Sequence, residues 1–271
     1  MNFNEQTKKL YELEKDQDDC FIWKRHEHRD FPSHFHAAME IYFVLTGKME
    51  ATINGQSYLM RAGDIFVINP FEIHSYKQID ESLVAVLIFH NKYLDDFHKD
   101  YPKQQLKTHV TDSAYNEQIY TLLKEIPSSL YPNRTLSNLA RKGYVNLVLD
   151  MLVSKYGVAT STPMQENITK IMSYIYENYN QPITLETLSA QFNYTKTSLS
   201  RLLSKHLKVD LRTFINNLRV EQADLFLSDQ KYEDLSILQI AYLCRFESPA
   251  TFYRAYHRRY NHPPRKHIQP S

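Results

Sequence analysis

The sequence predicts a multidomain α+β protein, with an antiparallel β-barrel and flanking helices at the N-terminal side and an all-α domain at the C-terminal side. Three observations lead to this prediction. Segments that alternate apolar and polar residues follow one another from residue 21 to residue 90. All five glycines lie before residue 158. Residues 184–268 contain one helix–turn–helix pattern twice, about 52 residues apart.

The alternating segments predict short antiparallel strands. Asn54-Gly55 favours a two-residue hairpin, because both central positions of that turn need a positive φ. Many short strands at this spacing are typical of a small barrel or a double-sheet jelly roll. The predicted strands are 21–27, 40–46, 48–53, 56–60, 65–69, 73–79 and 83–90.

Helical spacing of apolar residues replaces this alternation further along the chain. It predicts helices over 113–126 and 136–156, which either cover one face of the barrel or form a dimerising pair. The small, polar segment after Gly157 ends in Pro163 and predicts an interdomain linker. The expected domains are 1–112 (barrel), 113–157 (helical dimerisation segment), 158–165 (linker) and 166–271 (tandem helix-turn-helix).

The last domain carries clear helix start signals. Ser236 with Gln239 forms a capping box, Asp210 can cap a long central helix, and Ser248 precedes a proline at the first helical position. The predicted helices are 166–179, 184–191, 195–206, 211–228, 237–243, 249–260 and a short turn after Pro263-Pro264.

The second helix of each repeat is predicted to have an apolar inner face and a polar outer face. Short side chains let such a helix lie deep in a DNA major groove, where Arg reads guanine and flanking basic residues neutralise phosphates. A single exposed Arg more often belongs to a solvated surface, but here it recurs at equivalent positions. The inner residues are Leu199, Leu202 and Leu203, then Phe252, Ala255 and Tyr256. The outer residues are Lys196, Thr197, Ser200, Arg201, Ser204 and Lys205, then Pro249, Ala250, Tyr253, Arg254, His257 and Arg258.

The composition of the chain and the length of its apolar runs exclude some classes of protein. The longest apolar run, Leu83–Phe89, is too short to span a bilayer, and the charged first 19 residues do not resemble a signal peptide, so a cytoplasmic protein is expected. Cys20 and Cys244 are two lone thiols, which suggest no disulfide framework. Residues 166–271 have 14 Lys and Arg against 10 Asp and Glu, whereas the rest of the chain is net negative, which weakly favours a polyanionic partner for the repeats.

The segments 211–223 and 240–264 together resemble the DNA-binding domain of the AraC/XylS family of bacterial transcription regulators. The resemblance implies that the first unit reads bases with Thr197, Ser200 and Arg201, and the second with Pro249, Ala250, Tyr253 and Arg254. This chain departs from the family at four turn positions where glycine is usual, namely Asn193, Lys208, Arg245 and Asn261. Arg245 would cost backbone energy in a left-handed turn, so either that turn is reshaped or the second unit docks less firmly.

His34, His36, Glu40 and Gly47 match the spacing of the first cupin motif, and His74 follows an imperfect second motif. Three alternatives remain open: a metal-dependent enzyme, a small-molecule pocket without metal, and no site at all. The pocket is preferred, because aromatic faces and hydrogen-bonding groups suit a sugar. The predicted effector-binding residues are Trp23, Arg25, His34, His36, Glu40, Tyr42, His74 and Tyr76, with no catalytic residue, metal ligand or cofactor assigned.

The resemblance and the residues together predict a ligand-responsive transcription regulator rather than an enzyme. Activation is the commoner outcome in the family that the chain resembles. The expected partners are double-stranded DNA, a small-molecule effector such as a sugar, a second copy of the chain, and RNA polymerase if the protein is an activator; no membrane partner is expected.

Overall fold

The structure is a computed structural model that describes residues 20–126, 136–207 and 209–266. The described chain forms two compact units, which divide between Glu166 and Asn167. Within the described ranges, no helix combines the length and the apolarity that crossing a bilayer requires.

The first unit begins with eight antiparallel strands. Each of the seven predicted strands is present, with ends that differ by at most one residue. The strands are β1 (Phe21–Glu27), β2 (Phe31–His34), β3 (Met39–Thr46), β4 (Lys48–Ile53), β5 (Gln56–Arg61), β6 (Ile65–Ile68), β7 (His74–Gln78) and β8 (Leu83–Phe89). β2 was not predicted. It contains Pro32, lies at the edge of its sheet and has an irregular register with β7, so it lacks a clear period of two.

The eight strands β1 to β8 are divided between two sheets rather than joined in one closed ladder. Short strands β9 (Gln104–Leu106) and β10 (His109–Val110) follow β8. The five-stranded sheet has the order β1-β8-β3-β6-β10, and the four-stranded sheet has the order β2-β7-β4-β5. At the start of the β3–β4 turn, Gly47 has φ +80°, and a Cβ there would lie 2.3 Å from the carbonyl oxygen of Glu81. Only glycine fits this turn.

The five-stranded sheet buries both of its faces. One face contributes Tyr42, Val44 and Val86 to a core shared with Met49 and Ala51 of β4. Helices cover the opposite face. This is the first of the two alternatives given for residues 113–126 and 136–156. The helices are a 3-10 helix at Asn91–Leu94, α1 (Asp95–Asp100), α2 (Ser113–Lys124) and α3 (Asn138–Tyr156). Their core residues include Ile119, Leu123, Val145, Leu149 and Leu152.

The predicted linker is largely regular structure. Val158–Thr160 forms strand β11, which pairs with β9, and α4 (Pro163–Asn178) begins at Pro163. Val158 pairs with the buried Leu106, so the apolar start of this segment is recruited into the first unit. Of the eight residues expected as linker, only Ser161 and Thr162 lie outside helix and strand.

The second unit is helical, and six of the seven predicted helical segments are present with ends that differ by a few residues. After α4 follow α5 (Leu185–Phe192), α6 (Lys196–Leu207), α7 (Leu211–Ser228), a 3-10 helix at Gln230–Tyr232, α8 (Ile237–Leu243) and α9 (Pro249–Tyr260). The predicted caps form: Ser236 and Gln239 make a reciprocal capping box, Asp210 accepts from the Thr213 N–H, and Ser248 accepts from the Thr251 N–H. The turn predicted after Pro263-Pro264 is not helical over residues 263–266, and the rest lies outside the described residues.

Helix α7 is the common support of both repeats. It contacts α6 of the first repeat and α8 and α9 of the second. Val220, Ala223 and Leu227 pack into one apolar cluster with residues of α8 and α9. A buried ion pair between Glu221 of α7 and Arg259 of α9 adds a polar link within this packing.

Candidate functional site

Helix α6 has the predicted division into an inner and an outer face. Leu199, Leu203 and Leu207 are buried, with at most 1% of each residue exposed. Leu202, predicted as an inner residue, is only half-buried, because it lies at the border between the two faces. None of the six predicted outer residues is buried: Lys196, Thr197, Arg201, Ser204 and Lys205 are exposed, and Ser200 is half-buried.

Helix α9 repeats this arrangement. Phe252, Ala255 and Tyr256 are buried, and the Tyr256 hydroxyl donates a hydrogen bond to the Asp224 carboxylate of α7. This contact holds the inner face of α9 against the supporting helix. The predicted outer residues are again unburied: Ala250, Tyr253, Arg254, His257 and Arg258 are exposed, and Pro249 is half-buried.

Two of the outer cations already have partners on the protein surface. Lys196 Nζ lies 2.6 Å from Glu186 Oε1, and this contact holds the pKa of the exposed Glu186 carboxyl below its usual value. Arg254 Nε donates to the Ala250 carbonyl of its own helix at 3.2 Å. Both contacts are solvent-exposed, so a phosphate or a base edge can replace them.

The turns of the helical unit keep their left-handed conformation without glycine. Asn193, Arg245 and Asn261 have φ of 56°, 63° and 59°. Lys208, the fourth position of this kind, lies outside the described residues. At Arg245 the turn closes with hydrogen bonds from the Arg245 N–H to Tyr242 and from the Phe246 N–H to Ala241. The turn at Arg245 is therefore not reshaped and keeps the left-handed conformation.

Six of the eight predicted effector residues converge between the two sheets of the first unit, where they form an interior group. Glu40 and Tyr42 lie on β3 and face the four-stranded sheet, as the alternation of β3 predicts. His74 and Tyr76 lie on β7, where His74 pairs with His34 of β2. The six are His34, His36, Glu40, Tyr42, His74 and Tyr76, and each is at most 5% exposed.

Trp23 and Arg25 are not part of this group. In the pairing of β1 with β8, Trp23 lies opposite Leu87 and Arg25 opposite Ala85, and both partners face the helices. Trp23 packs edge-on against Phe43 and beside Tyr120, and Arg25 is exposed. The assignment of these two residues to the effector site was wrong. The β1 side chains that face the space between the sheets belong to the alternate residues, such as Ile22.

Hydrogen bonds join the carboxylate of Glu40 to its neighbours. The Tyr76 hydroxyl donates to Glu40 Oε1 at 2.9 Å, and His36 Nε2 lies 3.3 Å from Glu40 Oε2. The rings of Tyr42 and Tyr76 stack, with centroids 4.6 Å apart. The Glu40 carboxylate is thus held in position from two sides.

His28 is a member of this interior group that was not among the predicted site residues. It is 3% exposed, and its Nδ1 lies 2.7 Å from the Tyr42 hydroxyl. Burial lowers the pKa of His28 to about 4, so its ring is neutral near neutral pH. It follows the end of β1, where strand alternation no longer indicates the direction of a side chain.

The three histidines of the group share one hydrogen-bonding pattern. The Nδ1 atoms of His34, His36 and His74 lie 3.0, 2.9 and 2.8 Å from the backbone carbonyls of Pro32, Ala38 and Glu72. A carbonyl only accepts, so each Nδ1 carries a proton, and the hydrogen bond between His36 Nε2 and Glu40 requires one further proton, on Nε2 or on the carboxyl. One ring nitrogen of each histidine lies within 4.8 Å of the others. Burial, followed by the nearby His34, lowers the pKa of His74 well below its usual value and keeps its ring neutral.

This donor set fits a metal ion. Three imidazoles, each with a ring nitrogen within 4.8 Å of the others, are ligands that first-row transition metals accept, and the Glu40 carboxylate lies beside one of them, His36. The same groups also suit hydrogen bonds to the hydroxyls of a small molecule.

Comparison with known proteins finds a matching family model for each of the two units. The model of the AraC-like ligand-binding domain matches residues 19–149, and that of a helix-turn-helix domain matches residues 188–269. An HTH-type transcriptional regulator of Staphylococcus aureus strain MSSA476 is 25% identical over 80% of this chain. The chain spans only 29% of the length of that relative.

Two further proteins match over most of their length. The HTH-type transcriptional activator RhaS of Salmonella schwarzengrund is 21% identical over 87% of this chain and 86% of its own. The crystal structure of apo ToxT from Vibrio cholerae has a TM-score of 0.52 at 14% identity, covering 92% of this chain and 97% of that one. The fold of the two units in this order and the two matching family models lead to one conclusion: the chain belongs to the AraC/XylS family of transcription regulators, with an N-terminal cupin-type ligand-binding domain.

Proposed function

We propose that this protein is a ligand-responsive transcription activator that binds DNA through α6 and α9 and senses a small molecule between the two sheets of its first unit. One observation carries the DNA-binding part. Two equivalent helices bury their apolar faces against a common support and expose a polar face with an arginine, Arg201 or Arg254, near its centre. Such a face suits a major groove.

The interior group supports a hydrogen-bonding effector. Glu40, His36 and Tyr76 pair with one another, and a polyol such as a sugar can replace these bonds with its hydroxyls while its ring packs on the stacked tyrosines. ToxT, which shares the fold at 16% identity, has been solved with an unsaturated fatty acid bound. The polar character of the interior favours a sugar for this chain. The same residues also suit a metal-dependent enzyme, but membership of a regulator family favours sensing.

We further propose that the protein acts as a homodimer through α3. Leu139 is 83% exposed and Leu147 is 47% exposed, although both are large and apolar. They are eight residues apart on one helix, so they share a face, and Gly143 between them allows close approach. A dimer presents two DNA-binding units to adjacent half-sites. As an activator, like the relative named RhaS, it would then contact RNA polymerase.

The test is DNA binding by the full chain. Duplexes enriched by the protein from a random pool should share a sequence, and their affinity should fall steeply as salt rises, because phosphate contacts release counterions. A sugar that binds the protein should change this affinity.

The matched control is the double variant Arg201→Ala with Arg254→Ala, which removes both central arginines and leaves the inner faces intact. It should fold and lose the enrichment. Failure of the unaltered chain to enrich any sequence, or an affinity insensitive to salt, would contradict the proposed function.

A further inference from the structure

We propose that α9 selects thymine, through the methyl group of that base, in the half of the DNA site that it reads. This assignment rests on the proposed function, in which α6 and α9 are the DNA-binding helices, and names the bases that one of them prefers. It follows from a chemical difference between the two outer faces, which carry equivalent arginines, Arg201 and Arg254, but different neighbours.

The outer face of α9 has apolar groups where that of α6 has hydroxyls. Hydroxyls donate and accept hydrogen bonds, whereas a methyl group does neither. Counted from the two arginines, the exchanged pairs are Thr197 with Ala250 and Ser200 with Tyr253. All but Ser200, which is half-buried, are exposed. At these two positions α9 has therefore replaced polar contacts with apolar ones.

The apolar groups of α9 form one patch, which consists of Pro249, Ala250 and Tyr253. Tyr253 follows Ala250 by three residues and Pro249 by four, so all three lie on the same side of the helix. Tyr253 is 39% exposed, and its ring packs edge-on against the buried Phe252, with centroids 5.5 Å apart. The patch is thus supported from inside the unit and open on its outer side, where covering it with an apolar group is favourable.

Arg254 lies beside this patch. Its Nε donates to the Ala250 carbonyl at 3.2 Å, so the guanidinium is folded back along α9 toward Ala250. An arginine in the major groove pairs with O6 and N7 of guanine. Four residues of helix rise about 6 Å and one base pair rises about 3.4 Å, so we expect the thymine within about two base pairs of that guanine.

The side chains of the patch favour thymine over cytosine. In the major groove thymine presents a methyl group, whereas cytosine presents an amino group that needs an acceptor such as a carboxylate. Neither α6 nor α9 contains Asp or Glu, and within the patch only the Tyr253 hydroxyl is a side-chain acceptor. A cytosine against Pro249 or Ala250 would lose hydrogen bonds of its amino group to water, which is costly.

The experiment uses the full chain and the duplex that it enriches from a random pool. Arg254→Ala should relax the preference at the base pairs that α9 reads, which locates its half of the site. At each thymine of that half, deoxyuridine then replaces thymidine, which removes only the methyl group. At least one replacement should lower the affinity about fourfold, because burial of one such group contributes about 0.8 kcal/mol.

Variants of α9 assign the effect of deoxyuridine to the patch. Tyr253→Ser, which gives α9 the residue of α6, should reduce the effect, and the double variant Ala250→Asn with Tyr253→Ser should remove it. Tyr253→Phe keeps the ring without its hydroxyl and should retain the effect. If Tyr253→Ser fails to fold by circular dichroism, Tyr253→Gln takes its place in both variants.

The matched control is Tyr242→Ser. It removes another exposed tyrosine of the same repeat, on α8 rather than on the outer face of α9, and should leave the effect of deoxyuridine unchanged.

A half-site of α9 without thymine, or a duplex whose affinity no deoxyuridine lowers, would overturn the proposal. So would an effect that Tyr253→Phe abolishes or that the double variant leaves intact, and so would an Arg254→Ala variant that relaxes no base position. Enrichment of one sequence without a methyl effect contradicts thymine selection alone. Failure to enrich any sequence contradicts the proposed DNA-binding function, and thymine selection with it.

Discussion

Single residues show where this chain departs from local preference. Arg245 has φ 63°, a region in which a side chain with a Cβ is strained. The surrounding packing imposes it, because the next residue, Phe246, is 3% exposed and belongs to the apolar cluster of α7, α8 and α9. The second repeat therefore keeps its turn at a cost in stability.

Arg245→Gly should stabilise the helical unit by about 0.5–1 kcal/mol, because relief of the left-handed strain exceeds the entropy that glycine gains in the unfolded chain. Urea unfolding followed by helical circular dichroism measures this. Arg212→Gly, at an exposed position in the first turn of α7, is the control and should not stabilise the unit, because Arg212 has no positive φ to relieve. An Arg245→Gly variant that loses stability would show that the side chain, not the turn, matters.

A second prediction at this scale concerns Arg201, which is exposed on the outer face of α6. Arg201→Ala should cost about 1–3 kcal/mol on the preferred duplex and relax the preference at one or two base positions, because the proposed bidentate contact with guanine would be lost.

The control for Arg201 is Lys205→Ala on the same face. Loss of a phosphate contact should weaken binding about equally on every duplex and reduce the salt dependence. Titration of the two variants against preferred and scrambled duplexes distinguishes them. Uniform weakening by Arg201→Ala would place its guanidinium on the backbone instead.

At the scale of secondary structure elements, the buried ion pair links α7 to α9. Arg259 Nε donates to Glu221 Oε1 at 2.9 Å, and both side chains are only 7% exposed. Either group alone would be a buried charge without a partner, which is costly.

Arg259→Ala should therefore destabilise the helical unit by about 3–5 kcal/mol. The double variant Glu221→Leu with Arg259→Met should recover most of that loss, since it leaves no buried charge. Arg258→Ala, one residue earlier and exposed, should change stability by less than about 0.5 kcal/mol. Urea unfolding measures all three. A double variant as unstable as Arg259→Ala would contradict this account.

Elements that depend on neighbouring residues were predicted, whereas elements that depend on distant pairing were not. Ser236, Gln239 and the amphipathic spacing of α6 act within one turn of helix, so they could be read from the chain. β2 was missed because Pro32 disturbs its pairing. Val158–Thr160 was expected as a linker, and its pairing with β9 depends on residues more than 50 positions away.

At the scale of the whole molecule, the proposed dimer depends on the exposed face of α3. The double variant Leu139→Asp with Leu147→Asp should convert a dimer to monomers, because charges would be buried in an apolar contact. Sedimentation velocity measures the change. Ile79→Asp, which alters an isoleucine of the β-sheet unit that is 50% exposed, is the control and should leave the dimer intact. A monomeric unaltered chain would contradict the proposal.

Local order along the chain was enough to predict two repeated helix-turn-helix units, their caps and an N-terminal unit of short strands, because those signals act between neighbours. Strand pairing decided which of the predicted effector residues meet between the two sheets. The pairing of His34 with His74 brings two distant histidines together, and the pairing of Trp23 with Leu87 turns the tryptophan toward the helices. A shift of one residue in register reverses every side chain of a strand, and that register depends on contacts that no local pattern contains.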